Sequence, residues 1–175
     1  MAGMPIRQRG APLGSQRRWG DAIAAILEVF LYIAWLGSLV GIAFVAAPAA
    51  FAHAPAQQAG AIVGASLRAT TWFAWVCGGV LLLIWLFRIP REGRTALAGA
   101  LLIAVAIGAT DYARWSIAPK MDAIVAQVDG AISALPAGDA RRATFDALHR
   151  RSTQTYGVVL VCGFLAAALT AARRR

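Results

Sequence analysis

Four apolar stretches dominate this chain, and each is long enough to cross a bilayer as a helix. They run from about Ala22 to Ala47, Ile62 to Phe87, Thr95 to Trp115 and Thr153 to Ala172. The hydrocarbon core of a membrane needs about 20 helical residues. The runs are continuous and rich in Ala and Leu, with none of the alternation of a half-buried strand. In lipid every backbone N–H and C=O must be paired within the segment, so helices follow. The expected class is therefore all-α: a polytopic four-helix transmembrane bundle. Pro48, Pro55, Pro90, Pro119 and Pro136 fall between the runs, where helix breakers are expected.

Composition supports the same class. Of 175 residues, 59% are hydrophobic and 14% charged, against about 25% charged in a soluble domain. Too few charges remain to coat a water-facing surface. The net charge of +9 does not point to nucleic acid, because the arginines sit in short clusters flanking apolar runs and form no folded basic domain.

Those clusters set an orientation. Arg7, Arg9, Arg17 and Arg18 precede the first span; Arg88, Arg91 and Arg94 join the second to the third; Arg173, Arg174 and Arg175 close the chain. The loop APAAFAHAPAQQAG has no Lys or Arg, and residues 116–152 nearly balance theirs with Asp122, Asp129, Asp139 and Asp146. By the positive-inside rule both termini are expected in the cytoplasm, with the protein in the cytoplasmic (inner) membrane. The first run is far longer than the roughly 7–15 apolar residues of a cleavable signal, so it reads as a retained span. Residues 1–20, rich in Gly, Pro, Gln and Arg, read as a disordered basic cytoplasmic tail, and 21–175 as the transmembrane domain.

Close packing has to hold such helices together, since lipid supplies no hydrophobic drive between them. Gly37 and Gly41, and again Gly60 and Gly64, have GxxxG spacing. They suit either contacts within one bundle or a seam to a second copy or another membrane protein. Trp19 and Trp85 are expected at the cytoplasmic interface and Trp115 at the opposite one. Cys77 and Cys162 read as small packing residues.

Charges inside spans are expensive and therefore informative. Arg68 and Asp111 lie at similar expected depth near the outer ends of spans two and three, with Arg114 on the face of Asp111. They form a candidate intramembrane polar cluster, either an ion pair locking two helices or the wall of a water-filled pocket. Glu28 is positioned to reach Arg88 or to snorkel to the surface. The segment IAPKMDAIVAQVDGAISAL carries Ile117, Met121, Ile124, Val125, Val128 and Ile132 on one stripe. It is expected to form an amphipathic helical cap on the extracytoplasmic side. Asp139 can cap the helix that leads into span four. His149 sits on that helix above the membrane and is expected to bind the cap to the bundle mouth.

Four pieces of the chain, in order, resemble a known family. They are WLGSLVGIAFVAAPAAF (Trp35 to Phe51), AGAIVG (Ala59 to Gly64), YARWSIAPKMDAI (Tyr112 to Ile124) and FDALHRRS (Phe145 to Ser152). The family is the transmembrane protein 205-like family, domain of unknown function 4149. Where it usually shows an Asn after the last of these pieces, this sequence has Tyr156. The resemblance implies a four-helix integral membrane protein whose activity is unsettled. Animal relatives are linked to resistance to platinum drugs, and the chain is distantly similar to copper resistance protein D.

Two functional readings follow. In the first, the chain is a non-enzymatic transport, resistance or envelope-maintenance component, since no HExxH, phosphate loop or GxSxG element stands in the sequence. No catalytic residue is assigned. In the alternative it binds copper or haem, with His53 and His149 as ligands on the same outer side and Met121 nearby.

Overall fold

The computed structural model describes residues 13–173. Most of the expected tail, residues 1–12, and the last two arginines lie outside them. Four long helices form: α1 over residues 13–53, α2 over Ala56–Glu92, α3 over Arg94–Val125 and α4 over Ala140–Ala172. Among the described residues there is no strand. All four helices are long and apolar enough to cross a membrane. The first helix starts at Leu13, inside the stretch expected to be an unstructured tail.

Three connections fold the helices up and down. α1 and α2 are joined at Ala54 and Pro55, and α2 and α3 by Gly93 alone. Gly93 has φ 56° and ψ −122°, a backbone that a residue with a Cβ adopts only under strain. That reversal places Arg88, Arg91, Arg94 and the end of α4 together, and we refer to it as the basic end. The longer connection, residues 126–139, contains a short 3₁₀ turn at Ile132–Ala134 and closes the opposite, loop end.

The interior is a narrow ring of side chains. Trp35, Leu81, Trp85, Ile103, Val159 and Ala166 are fully buried. Large apolar residues also cover the outside: Phe30, Ile33, Phe44, Phe87, Leu101 and Val161 are all exposed. A water-soluble protein rarely exposes apolar surface on that scale, whereas a bilayer welcomes it. Ser38, Thr70, Thr110 and Thr170 turn their hydroxyls back onto carbonyls of their own helices, which removes unpaired donors from the apolar layer.

Two expectations about local structure are corrected. The helices do not stop at every proline: Pro55 and Pro136 lie outside them, but Pro48, Pro90 and Pro119 lie within. Widened π-helical turns at Ile42–Ala46 and Ala113–Ile117 immediately precede Pro48 and Pro119. A proline ring collides with the carbonyl four residues back, here that of Phe44 or Trp115. A π turn at that carbonyl displaces it, so the helix continues. For the same reason the expected cap helix is not a separate element. α3 runs through Pro119 to Val125 and packs on α4, with Ile117 buried and Met121, Ile124 and Val125 half-buried.

The close helix approaches also differ from the glycine spacing. A Cβ added at Gly41 or Gly60 would meet open space, and one at Gly37 or Gly64 only ordinary contact within its own helix. The tight sites are Gly78, Gly99 and Gly163. A Cβ at Gly78 would lie 3.1 Å from the Trp35 ring and 3.2 Å from Ile107. One at Gly99 would run into the Trp85 indole, and one at Gly163 into Leu36. Large side chains of one helix seat on glycines of its neighbour.

Candidate functional site

The most concentrated chemistry lies at the basic end. Glu28, on α1, is fully buried. Arg88, near the end of α2, donates through both terminal nitrogens to its two carboxylate oxygens, at 2.7 and 3.0 Å. Thr170 on α4 donates to Oε1 at 3.1 Å. Arg173, just past α4, brings a second guanidinium within 3.7 Å of Oε1 and pairs with Glu92 at 2.6 Å. A buried carboxylate is tolerable only when its charge and lone pairs are satisfied in this way. Glu28 thereby joins three helices, and Arg173 ties the end of α4 to Glu92 beside the Gly93 turn.

Two aromatic groups line the network from within. Trp85 is fully buried, a correction to its expected place at the membrane interface. Its indole N–H donates to the Tyr32 hydroxyl at 3.0 Å. The guanidinium carbons of Arg173 and Arg88 lie 4.4 and 5.9 Å from the centre of its ring, within reach of cation–π attraction. Of this cluster the sequence pointed only to Glu28 and Arg88. In the sequence Arg173 reads as a terminal flank, and Trp85 and Tyr32 are too far apart in the chain for spacing to join them.

The second polar group lies toward the loop end, and its pairing differs from the expected one. Asp111 accepts from the indole N–H of Trp75 at 2.8 Å. Trp75 is in turn braced edge-on by Trp72 at 5.0 Å. Arg68 is 3.8 Å from Asp122, with both side chains well exposed. Arg68 and Asp111 are not brought together because α3 extends past Trp115. Asp122, three turns beyond Asp111, takes the level of Arg68. Arg114 stands over the ring of Trp115 at 4.7 Å and is close enough to the Tyr156 phenol to act on it electrostatically. Trp115 itself is exposed.

Above this layer, the 126–139 connection is held by arginines. Arg142 donates to the Leu135 carbonyl at 2.8 Å and Arg141 to that of Gln127 at 3.2 Å. Asp139 caps α4 as expected, accepting the Arg141 backbone N–H at 2.8 Å. The Arg141 side chain and backbone N–H hold the Asp139 carboxyl down, at about 2. His149 takes no part in that tie: it is exposed and stacks on Phe145, one turn back, with centroids 6.3 Å apart. His53 is exposed and its Nδ1 lies 3.0 Å from the Ala49 carbonyl. Among the described residues no three His, Cys, Asp or Glu side chains are grouped around a common point.

Four apolar spans around a charged pair buried at one end and an indole–carboxylate pair further in define a multi-pass helical membrane protein. A family model described as a domain of unknown function (DUF4149) matches residues 30–129. The chain belongs to that family. The match takes in three of the four pieces that carried the resemblance, and Phe145 to Ser152 lies beyond it. Searches of curated proteins and of solved structures find no match.

Proposed function

We propose that the chain is a non-enzymatic transport, resistance or envelope-maintenance component of the inner membrane, akin to the transmembrane protein 205-like proteins, with both termini cytoplasmic. The observation that carries this reading is the unequal treatment of polar groups at the two ends. At the basic end Glu28, Arg88, Arg173 and Glu92 satisfy one another and draw three helices together. Toward the loop end Asp111 is held by a single indole N–H, and Arg114, three residues further along α3, and Tyr156 on α4 are half-buried and within electrostatic reach of one another. A bundle tied at its cytoplasmic mouth and polar beneath its outer mouth suits the reception of a guest from outside. Arginines flanking the Glu28 end support the orientation.

A disruption strain complemented with variants tests this reading. Loss of the protein is expected to lower tolerance to a panel of envelope stresses that includes platinum and copper salts. The wild type restores tolerance, and Asp111→Ala at equal membrane abundance does not. Full restoration by Asp111→Ala would remove the loop-end cluster as the working site.

A further inference from the structure

Arg114 is the half-buried arginine that the chain leaves without an acceptor. Among the described residues every other arginine side chain is held by a carboxylate or a carbonyl, as Arg88, Arg173 and Arg142 are, or is exposed. Arg114 forms neither an ion pair nor a hydrogen bond there. It belongs to the π turn Ala113–Ile117, in which Ala113 and Ile117 are buried. The acid closest in sequence, Asp111, is not turned to it: that carboxylate reaches α2, where the Trp75 indole N–H holds it.

What surrounds the Arg114 guanidinium is aromatic. Its carbon lies 4.7 Å from the centre of the Trp115 ring, and the Tyr156 phenol on α4 is within its electrostatic reach. Tyr156 rests against the buried core, and its hydroxyl also has no hydrogen-bond partner among the described residues. The unpartnered polar atoms sealed inside the bundle are Trp35 Nε1, Thr71 Oγ1 and Arg173 Nε. The Arg114 nitrogens and the Tyr156 hydroxyl are not in that set, so they are open to a guest. Both groups donate, and neither meets an acceptor. A cation near the end of a span is costly to leave unpaired. A guanidinium fork matches the oxygens of a phosphate, and stacking on Trp115 restrains the fork without using its N–H donors.

We propose that Arg114 and Tyr156 form a binding site for a phosphate group, carried by a lipid headgroup or by the free ion. The proposal rests on the loop end being the working site and names the class of its guest.

The full chain in neutral detergent is titrated with inorganic phosphate by calorimetry, and with dioleoyl phosphatidate or dioleoylglycerol by native mass spectrometry. The two lipids share their tails and differ in the phosphate. One phosphatidate is expected to bind saturably, and dioleoylglycerol is not. Inorganic phosphate that binds at the same residues makes the free ion sufficient, and phosphatidate alone makes the headgroup the ligand. Arg114→Gln should weaken binding by about tenfold or more, and Tyr156→Phe, which keeps the ring against the core, by about threefold. Arg150→Gln with Arg151→Gln, exposed on α4 further out, should leave it within about twofold. Should Arg114→Gln fail to fold, Tyr156→Phe decides. Equal binding of the two lipids, no binding of either phosphate probe, or undiminished binding in a folded Arg114→Gln overturns the proposal. If no phosphate binds while Asp111→Ala still fails to restore tolerance, only the class of guest is wrong. If phosphate binds at Arg114 while Asp111→Ala restores tolerance, the anion site stands and the loop end is not the working site.

Discussion

Arg88 sets both terminal nitrogens of its guanidinium on the two carboxylate oxygens of Glu28, across the boundary between α1 and α2. The pair is sequestered: the Glu28 side chain is 0% exposed and that of Arg88 24%. Planar, two-point pairing fixes direction as well as distance, so it orients α2 against α1 as a single contact does not.

Removing one partner leaves the other charged in a poorly solvated place. Glu28→Ala or Arg88→Ala should each destabilise the bundle by about 3–5 kcal/mol. Thr170 and Arg173 lose a partner when Glu28 goes, so Glu28→Ala should be the more damaging. Reversible unfolding of single and double variants in mild detergent measures this. A coupling of about 1–3 kcal/mol is expected, and strictly additive losses would show that the two groups do not act together.

The Gly99 contact is a matter of volume alone. The Trp85 indole occupies the space of the missing Cβ, and behind that indole stands Arg173. Gly99→Ala should lower stability by about 1–3 kcal/mol through overpacking. Gly41→Ala, where open space surrounds the added methyl, should stay close to wild type. Comparable losses at both positions would mean that helix spacing, and not the Trp85 seat, sets the cost.

Spans, their number and the helical class were legible in the sequence, because apolar length states the cost of leaving lipid directly. Glu28 and Arg88 were legible for the related reason that an ionised group within a span calls for a partner. Helix ends were not. A proline marks an end only when its ring meets the preceding carbonyl, and the π turns before Pro48 and Pro119 remove that collision. This shifted α3, and with it the partner of Arg68 from Asp111 to Asp122. Glycine spacing does not locate the close approaches within the chain for another reason: GxxxG states that a helix has a small face, not that a neighbouring span lies on it. Gly78, Gly99 and Gly163 have no such motif, and only the opposing Trp35, Trp85 and Leu36 identify them.

The capping carboxylate gives a pH dependence with a definite sign. Asp139 is held at about 2 against an ordinary value of 3.8. A carboxyl lowered on folding stabilises the folded form above its unfolded value, and the benefit is lost as pH falls from near 4 toward 2. Carbon-13 titration of the Asp139 carboxyl should therefore show a midpoint near 2. The first turn of α4 should keep its amide protection at pH 5 and lose it only in stronger acid. A midpoint at the ordinary carboxylate value would mean that the cap is open in solution.

The orientation underlies the proposed reception of a guest from outside, and cysteine accessibility tests it most directly. In a chain carrying Cys77→Ala and Cys162→Ala, a single cysteine is placed at Arg94, beside the Gly93 turn, or at Asp129, in the 126–139 connection. With a membrane-impermeant maleimide on intact cells, Asp129→Cys should be labelled and Arg94→Cys only after lysis. Labelling of Arg94→Cys from outside, with Asp129→Cys protected, would place the Glu28 network at the outer face and contradict the account.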